Sequence, residues 1–472
     1  MKMKLHWQDK SIFQKVVAIV IPILYLLFCL LWAGPFWLIF LPFILDYYFT
    51  KFINWSWYRN IKNKTLRGFV SLLADLLWAV IGVHLLSIFF IQNFAIPTSS
   101  LEKTLLVGDY LFVDKVTYGP RMPMTPLQVP LTQNRFLGRE SYLSKPQLSY
   151  KRLKGIRKVE RGDLVVFNFP TGDTVTTKVT NPDYYYLKEM YGGRAALEAQ
   201  PEVFGKIVYR PVDRRDHYVK RCVGLPGDLI EIRNNDIYIN GKQQARPEYM
   251  QLNYWVCTRG GYFSAEELKH LGISLDDQHV VSPSQLSAGD LEAMGLTGVS
   301  MSDVQALYLL PLTEEMRQQL ASDSRVAKIV VSQDPNTNLY PVGYDFGWTR
   351  DNYGPLQIPR KGLTIELTPQ ALALYSRCIH NYEGHALEQR PDGTILIDGQ
   401  PATHYTFGMD YYYMMGDNRH NSADSRYWGF VPEDHIVGRP ALLWLSLDKD
   451  LGLWGGKIRW RRMMHTIHGQ PL

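Results

Sequence analysis

Cysteine is scarce in this chain: its 472 residues hold four, Cys29, Cys222, Cys257 and Cys378, with no C-x-x-C pair and no histidine in ligand spacing beside them. That pattern argues against a zinc site and leaves little material for a disulfide framework. Cys29 sits inside an apolar run, so in an oxidising compartment the other three could form at most one bridge, for which Cys257 with Cys378 is the expected pair. Long runs of lysine and arginine are missing after Gln92, and the net charge is only +6. A nucleic-acid track is therefore not expected. No G-x-S-x-G string occurs, so the sharp strand-to-helix turn that presents a serine in many hydrolases is absent. Continuous apolar sequence is also rare beyond Gln92, because nearly all of it lies before that residue.

That N-terminal stretch reads as a membrane anchor. From Phe69 to Ile91 the chain is almost wholly apolar, and at ~1.5 Å per residue it exceeds a hydrocarbon core of ~30 Å. Asp75 and His84 interrupt it and are expected to face neighbouring helices or snorkel rather than form a site. Upstream, Val16 to Trp32 and Phe36 to Phe49 form an apolar hairpin broken at Gly34-Pro35, with Pro42 and Asp46 in its second arm. Lys2, Lys4, Lys10 and Lys15 lead into several hydrophobic segments, which is not the pattern of a single cleaved leader. Between Thr50 and Gly68 stand Lys51, Arg59, Lys62, Lys64 and Arg67 with no acidic residue, together with Trp55, Trp57 and Tyr58. Positive residues favour the cytoplasmic side, so everything after Gln92 is expected outside. Near the other end, Arg459-Trp460-Arg461-Arg462 suits anionic headgroups.

Beyond Gln92, short alternating runs bounded by turn residues predict β structure. The clearest are Asp109 to Val116, Asp163 to Phe169, Tyr218 to Val223 and Leu229 to Ile239, the last folded on itself at Asn234-Asn235. A similar pair of strands follows from Gly393, around Asp398-Gly399. Between these blocks the character changes: Ser264 to Glu267 is a capping box for a helix to Leu271, and Thr368-Pro369 begins another that runs to about Asn381. The expected division is an anchor over 1–92 (hairpin 16–49, basic loop 50–68, span 69–91), a β domain over 93–242 and 390–472, and an insertion or second lobe over 243–389.

Three strings carry chemistry. Ile96-Pro97-Thr98-Ser99-Ser100 follows the last apolar span directly. In His217 to Val223, alternation places Tyr218, Lys220 and Cys222 on one strand face, and a lysine desolvated there would lose pKa and could act as a base. The third string, Met414 to Gly429, is densely polar after an aromatic strand, and within it Asp424 and Arg426 are spaced to pair. Two other readings remain open: a Ser/His/Asp or Cys/His hydrolase using His420 or Cys222, and a membrane-anchored binding protein on a retired scaffold.

Together the strings resemble the bacterial type I signal peptidases, the leader peptidases that use a Ser/Lys dyad. The resemblance runs loosely through the anchor and in blocks at Ile96 to Val113, Arg161 to Pro170, Tyr218 to Asp228 and Met414 to Pro432, the last two being the most specific. It implies transmembrane helices followed by a mainly antiparallel β catalytic domain, of the signal-peptidase/LexA-like β fold, with a large mixed α+β insertion. It implies Ser100 as nucleophile, Lys220 as general base, Thr98 and the Ser100 N–H as oxyanion hole, Ser422 holding Lys220, and Asp424 with Arg426 as a supporting pair. No metal or cofactor is implied. The implied partners are exported preproteins with signal peptides, membrane lipids and the export machinery, with no nucleic acid. The implied place is the bacterial cytoplasmic membrane, with the catalytic part on its outer, periplasmic face. Leu101 stands where the family often has Met, Thr98 where Ser is common, and the insertion matches compact members poorly.

Overall fold

The computed structural model describes residues 11–282, 286–333 and 338–467, so the N-terminal Lys2, Lys4 and Lys10 lie outside the described residues. Helix α1 (Ile12–Phe28) opens on a capping box, with Gln14 N donating to Ser11 Oγ at 3.2 Å and Ser11 N donating to Gln14 Oε1 at 3.1 Å. A π turn extends it to Ala33, giving a largely apolar segment of 22 residues, long enough to cross a membrane. After Gly34 the return arm, Trp37–Thr50, is shorter and divided among 3-10, α and π segments, so the two arms of the hairpin are unequal. Asp46 does more than interrupt that arm. Its buried carboxylate accepts from Phe52 N at 2.6 Å, Ile53 N at 3.1 Å and Trp55 Nε1 at 2.8 Å, closing the turn into the basic loop.

Helix α2 (Lys64–Phe89) is capped by Asn63 and spans 26 residues. It begins earlier than the apolar pattern suggests and stops at Phe89, because Ile91 is already the first residue of a strand. Asp75 is exposed on it, whereas His84 is half-buried and accepts from Leu131 N of the soluble part at 3.4 Å.

The soluble part is built on a curled antiparallel sheet. Its strands are β1 (Ile91–Ala95), β2 (Asp109–Asp114), β3 (Leu164–Asn168), β4 (His217–Gly224), β5 (Tyr411–Met415), β6 (Val431–Pro432) and β7 (Ile436–Ser446), in the order β1-β2-β7-β3-β4-β5-β6, with His465–Thr466 added to β7. Register shifts on β2, β5 and β7 bend it. The fold class expected from sequence is the one observed. In the stretch expected as an insertion, Leu252–Thr258, Ala306–Leu312, Val326–Val331 and His279–Val281 form a second sheet, with Ala265–His270 and Glu314–Ala321 packed around it. Tyr353–Gln357 from the same stretch pairs instead with Leu229–Arg233, stitching it to the strands that follow β4.

Two expectations are corrected. All four cysteines are free and buried, and Cys257 and Cys378 lie in separate apolar cores, so they do not pair. The C-terminal basic cluster is not a uniform lipid-facing patch: Arg462 Nη2 reaches the buried Asp109 carboxylate at 2.8 Å, and Arg459 Nη1 donates to Val107 O at 2.9 Å. Trp460 between them is 71% exposed.

Candidate active site

Immediately after β1 the chain leaves the sheet at Pro97, passes Thr98 in an extended conformation and makes one 3-10 turn, Ser99–Leu101. The turn is pinned from beneath, since Leu101 and Leu105 are buried in a core with Ile96, Leu111, Leu164 and Leu443. Leu101 therefore acts through packing, as a methionine there would. Asn418 clamps the turn from the other side: its N–H donates to Ser100 O at 3.1 Å and its Nδ2 to Ser99 O at 3.2 Å.

Strand β4 supplies the partner. It lies between β3, where Val165 faces Lys220, and β5, where Met415 faces Arg221. Lys220 Nζ donates to Ser100 Oγ at 2.5 Å, with Ser100 7% and Lys220 4% exposed. Burial pushes the Lys220 ammonium down to about 8, against the opposing pull of Asp424 and Asp417. The Tyr218 ring is 5.7 Å from Nζ and Cys222 joins the core on the same face, as the alternation predicts.

The string after β5 closes the site. Asp424 and Arg426 form a buried bidentate pair, Nε to Oδ1 at 2.9 Å and Nη2 to Oδ2 at 2.8 Å, and Asp424 also accepts from Gly416 N at 3.2 Å. A second bidentate pair was not foreseen: Arg221 reaches Asp417 through Nε at 2.7 Å and Nη2 at 2.6 Å, and Thr104 Oγ1 adds 2.7 Å to the same carboxylate. Gly416 passes so close that a Cβ would stand 2.5 Å from Ser100 O and 2.3 Å from Ser422 Oγ. Ser422 is buried there, but its Oγ makes no hydrogen bond among the described residues, so the expected bond to Lys220 is not formed; Nζ is directed at Ser100 instead. Thr98 is exposed.

The residues of the rival hydrolase reading are not brought to Ser100. His420 is buried between Asn253, whose N–H donates to Nδ1 at 3.1 Å, and Asp351, which meets Nε2 at 3.0 Å. Cys222 is fully buried, its thiol pushed up by desolvation, with Sγ 3.5 Å from Gly224 O.

The sequence profile of the family described as "Signal peptidase, peptidase S26" matches residues 69–271 and 378–445, more than half of the chain. The chain belongs to this family. The two matched blocks take in most of α2, the Ser100 turn, β4 and the polar string, and leave out most of the second sheet. Among proteins that carry the name "Signal peptidase I", the chain is 24% identical over 407 residues to that of Buchnera aphidicola subsp. Acyrthosiphon pisum, covering 86% of this chain and 84% of that protein. It is 22% identical over 386 residues to "Signal peptidase I" of Haemophilus influenzae, covering 82% and 72% respectively. A shorter stretch of 65 residues is 45% identical to the protein of the same name from Buchnera aphidicola subsp. Schizaphis graminum, covering 14% of this chain and 21% of that one. The protein is thus a member of a signal-peptidase family with two N-terminal helices long and apolar enough to anchor it in a membrane.

Proposed function

We propose that this signal-peptidase chain removes signal peptides from exported preproteins at the outer face of the cytoplasmic membrane, with Ser100 as nucleophile and Lys220 as general base. The observation that carries the reading is the 2.5 Å contact between Lys220 Nζ and Ser100 Oγ in a desolvated site. With the amine neutral, Nζ accepts the hydroxyl proton as Oγ bonds to the scissile carbonyl carbon. Negative charge then develops on the carbonyl oxygen. The Thr98 hydroxyl and the Ser100 N–H are the donors assigned to it, the latter from the start of a turn, where amides lack intrahelical acceptors. As the C–N bond breaks, the Lys220 ammonium returns its proton to the leaving amine of the mature chain. Lys220 Nζ, neutral again, takes a proton from water as its oxygen bonds to the Ser100 ester carbon; the bond from that carbon to Oγ then breaks, Lys220 returns the proton to Oγ, and the signal peptide leaves with a new carboxylate.

Asp424, Arg426 and Ser422 are assigned supporting roles, the pair bracing the loop and the Ser422 hydroxyl steering Lys220 during turnover. Residues 93–242 and 390–472 are assigned to catalysis and 243–389 to an insertion. A short strand separates α2 from Ser100, which keeps the nucleophile near the membrane that holds the substrate's apolar segment. Small residues are the expected preference at the first and third positions before the cut.

Cleavage of a purified exported precursor in detergent, with the product termini mapped by mass spectrometry, tests this. The wild-type chain should cut after a small residue, and a leucine at the first position should abolish the cut. Cleavage that ignores that residue would contradict the assigned specificity.

A further inference from the structure

Where α2 runs into the soluble part, a cavity of about 570 Å³ opens between the helix end, β1 and the segment from Lys115 to Gln133. Lys115, Arg121 and Arg214 line it with a single carboxylate, Asp213. That carboxylate is already committed, accepting from Thr125 Oγ1 at 2.7 Å, Thr125 N at 2.8 Å and Met124 N at 3.0 Å, and its nearest approach to Arg214 Nε is 3.9 Å. The guanidinium groups are bonded mainly to uncharged acceptors. Arg121 donates to Asn168 Oδ1 at 2.7 Å and to the Asp434 backbone carbonyl at 2.5 Å, and Arg214 to the carbonyl of Gln133 at 2.9 Å and to the Gln128 side chain. Asp213 acts on both guanidinium groups and the Asp434 carboxylate on Arg121, but neither carboxylate accepts a hydrogen bond from them, and the buried Arg214 Nε has no hydrogen-bond acceptor among the described residues.

Lys115 makes no side-chain hydrogen bond or ion pair among the described residues. Arg152, behind it, is likewise satisfied by the carbonyl of Gly119 at 2.6 Å and by that of Ile436. The excess of positive potential is visible in its neighbours. Burial, then Arg121 and Arg152, bring the Lys115 ammonium down to about 7, and burial with Lys115, Arg121 and Arg214 holds His217 down to about 3, hence neutral. Val83 on α2, Ile91 at the start of β1 and Leu131 line the cavity and are each about half exposed, beside the polar His84, Ser87, Gln92 and Asn93.

We propose that this cavity is a binding site for an anionic phospholipid, with the headgroup phosphate beside Lys115, Arg121 and Arg214 and the acyl chains along Val83 and Ile91. The position suits that occupant and not a soluble anion, since Lys115 N donates to Phe90 O at 2.9 Å at the end of a helix long enough to cross a membrane, and the half-exposed apolar Val83 and Ile91 share the lining with the cations.

The test is native mass spectrometry of the full chain released from neutral detergent, titrated with phosphatidylglycerol, phosphatidylcholine or inorganic phosphate. Phosphatidylglycerol should bind most tightly; Lys115→Gln should weaken it about fivefold, in line with one basic group at an anionic surface, and Lys115→Arg should restore it. Inorganic phosphate should neither bind nor compete. Equal binding of the two lipids, an unaltered affinity in a folded Lys115→Gln variant, or displacement of the lipid by free phosphate would each overturn the proposal.

Discussion

Lys220 stands under two opposed demands: burial removes its charge, and Asp424 and Asp417 favour it. The outcome, an ammonium that titrates near 8, fixes the sign of two effects. For activity, Lys220 as the proposed base must be neutral, so kcat/KM should rise with pH on an acidic limb centred near 8, measurable by initial rates between pH 6 and 9. For stability, the folded chain binds fewer protons than the unfolded one between about 8 and the ordinary lysine value of 10.5, so stability climbs with pH across that window and the cost of the buried charge is fully present below it. Lys220→Met should therefore abolish cleavage yet raise stability at pH 7, on the order of 2 kcal/mol by denaturant unfolding in detergent. Gly416 offers a steric test. A methyl there would stand 2.5 Å from the Ser100 carbonyl oxygen, so Gly416→Ala should keep the fold but lower kcat by about 100-fold or more through displacement of the nucleophile. The strings carrying Ser100 and Lys220 were legible in the sequence because they are distinctive, and the fold brings the two side chains into contact; the inward turn of Asp417 and Asn418 was not, because a string of polar residues does not say which side chains turn inward.

The loop after β5 is held from both sides of the fold. Arg221 on β4 grips Asp417, while Gln251, far away in sequence, receives Arg419 N–H on its carbonyl at 2.9 Å and donates its own N–H to Asp417 O at 2.9 Å. Asp417→Asn would leave the Arg221 guanidinium buried without its counter-charge, a loss of about 3–5 kcal/mol in global stability, read as a fall in denaturation midpoint together with reduced cleavage. The strands and the two helix starts at Ser264 and Thr368 could be read from sequence because alternation and caps are local signals. The bridge from Gln251 to the site could not, since it is made by backbone groups that every residue carries.

For the whole molecule, the acid-free basic stretch leading into α2 and the direct passage of α2 into β1 support the proposed orientation, loop inside and soluble part outside. A reporter fused after Gly172 should be active only in an extracytoplasmic assay, and one fused in the loop at Lys62 only in a cytoplasmic assay; the reverse result would remove the proposed route to exported substrates. Anchor helices and sheet class were thus open to reading from composition and motifs, as was the closeness of Ser100 and Lys220 that the proposed dyad needs, whereas the cysteine pairing, the inward Arg459 and Arg462 and the unbonded Ser422 depended on packing between distant segments. The central claim is that Ser100 and Lys220 act as one unit, and its most direct measurement is a double-variant cycle on precursor cleavage. Ser100→Ala and Lys220→Ala should each reduce the rate to near background, with the pair no worse than either alone. Additive losses, or wild-type cleavage by folded Ser100→Ala, would contradict it.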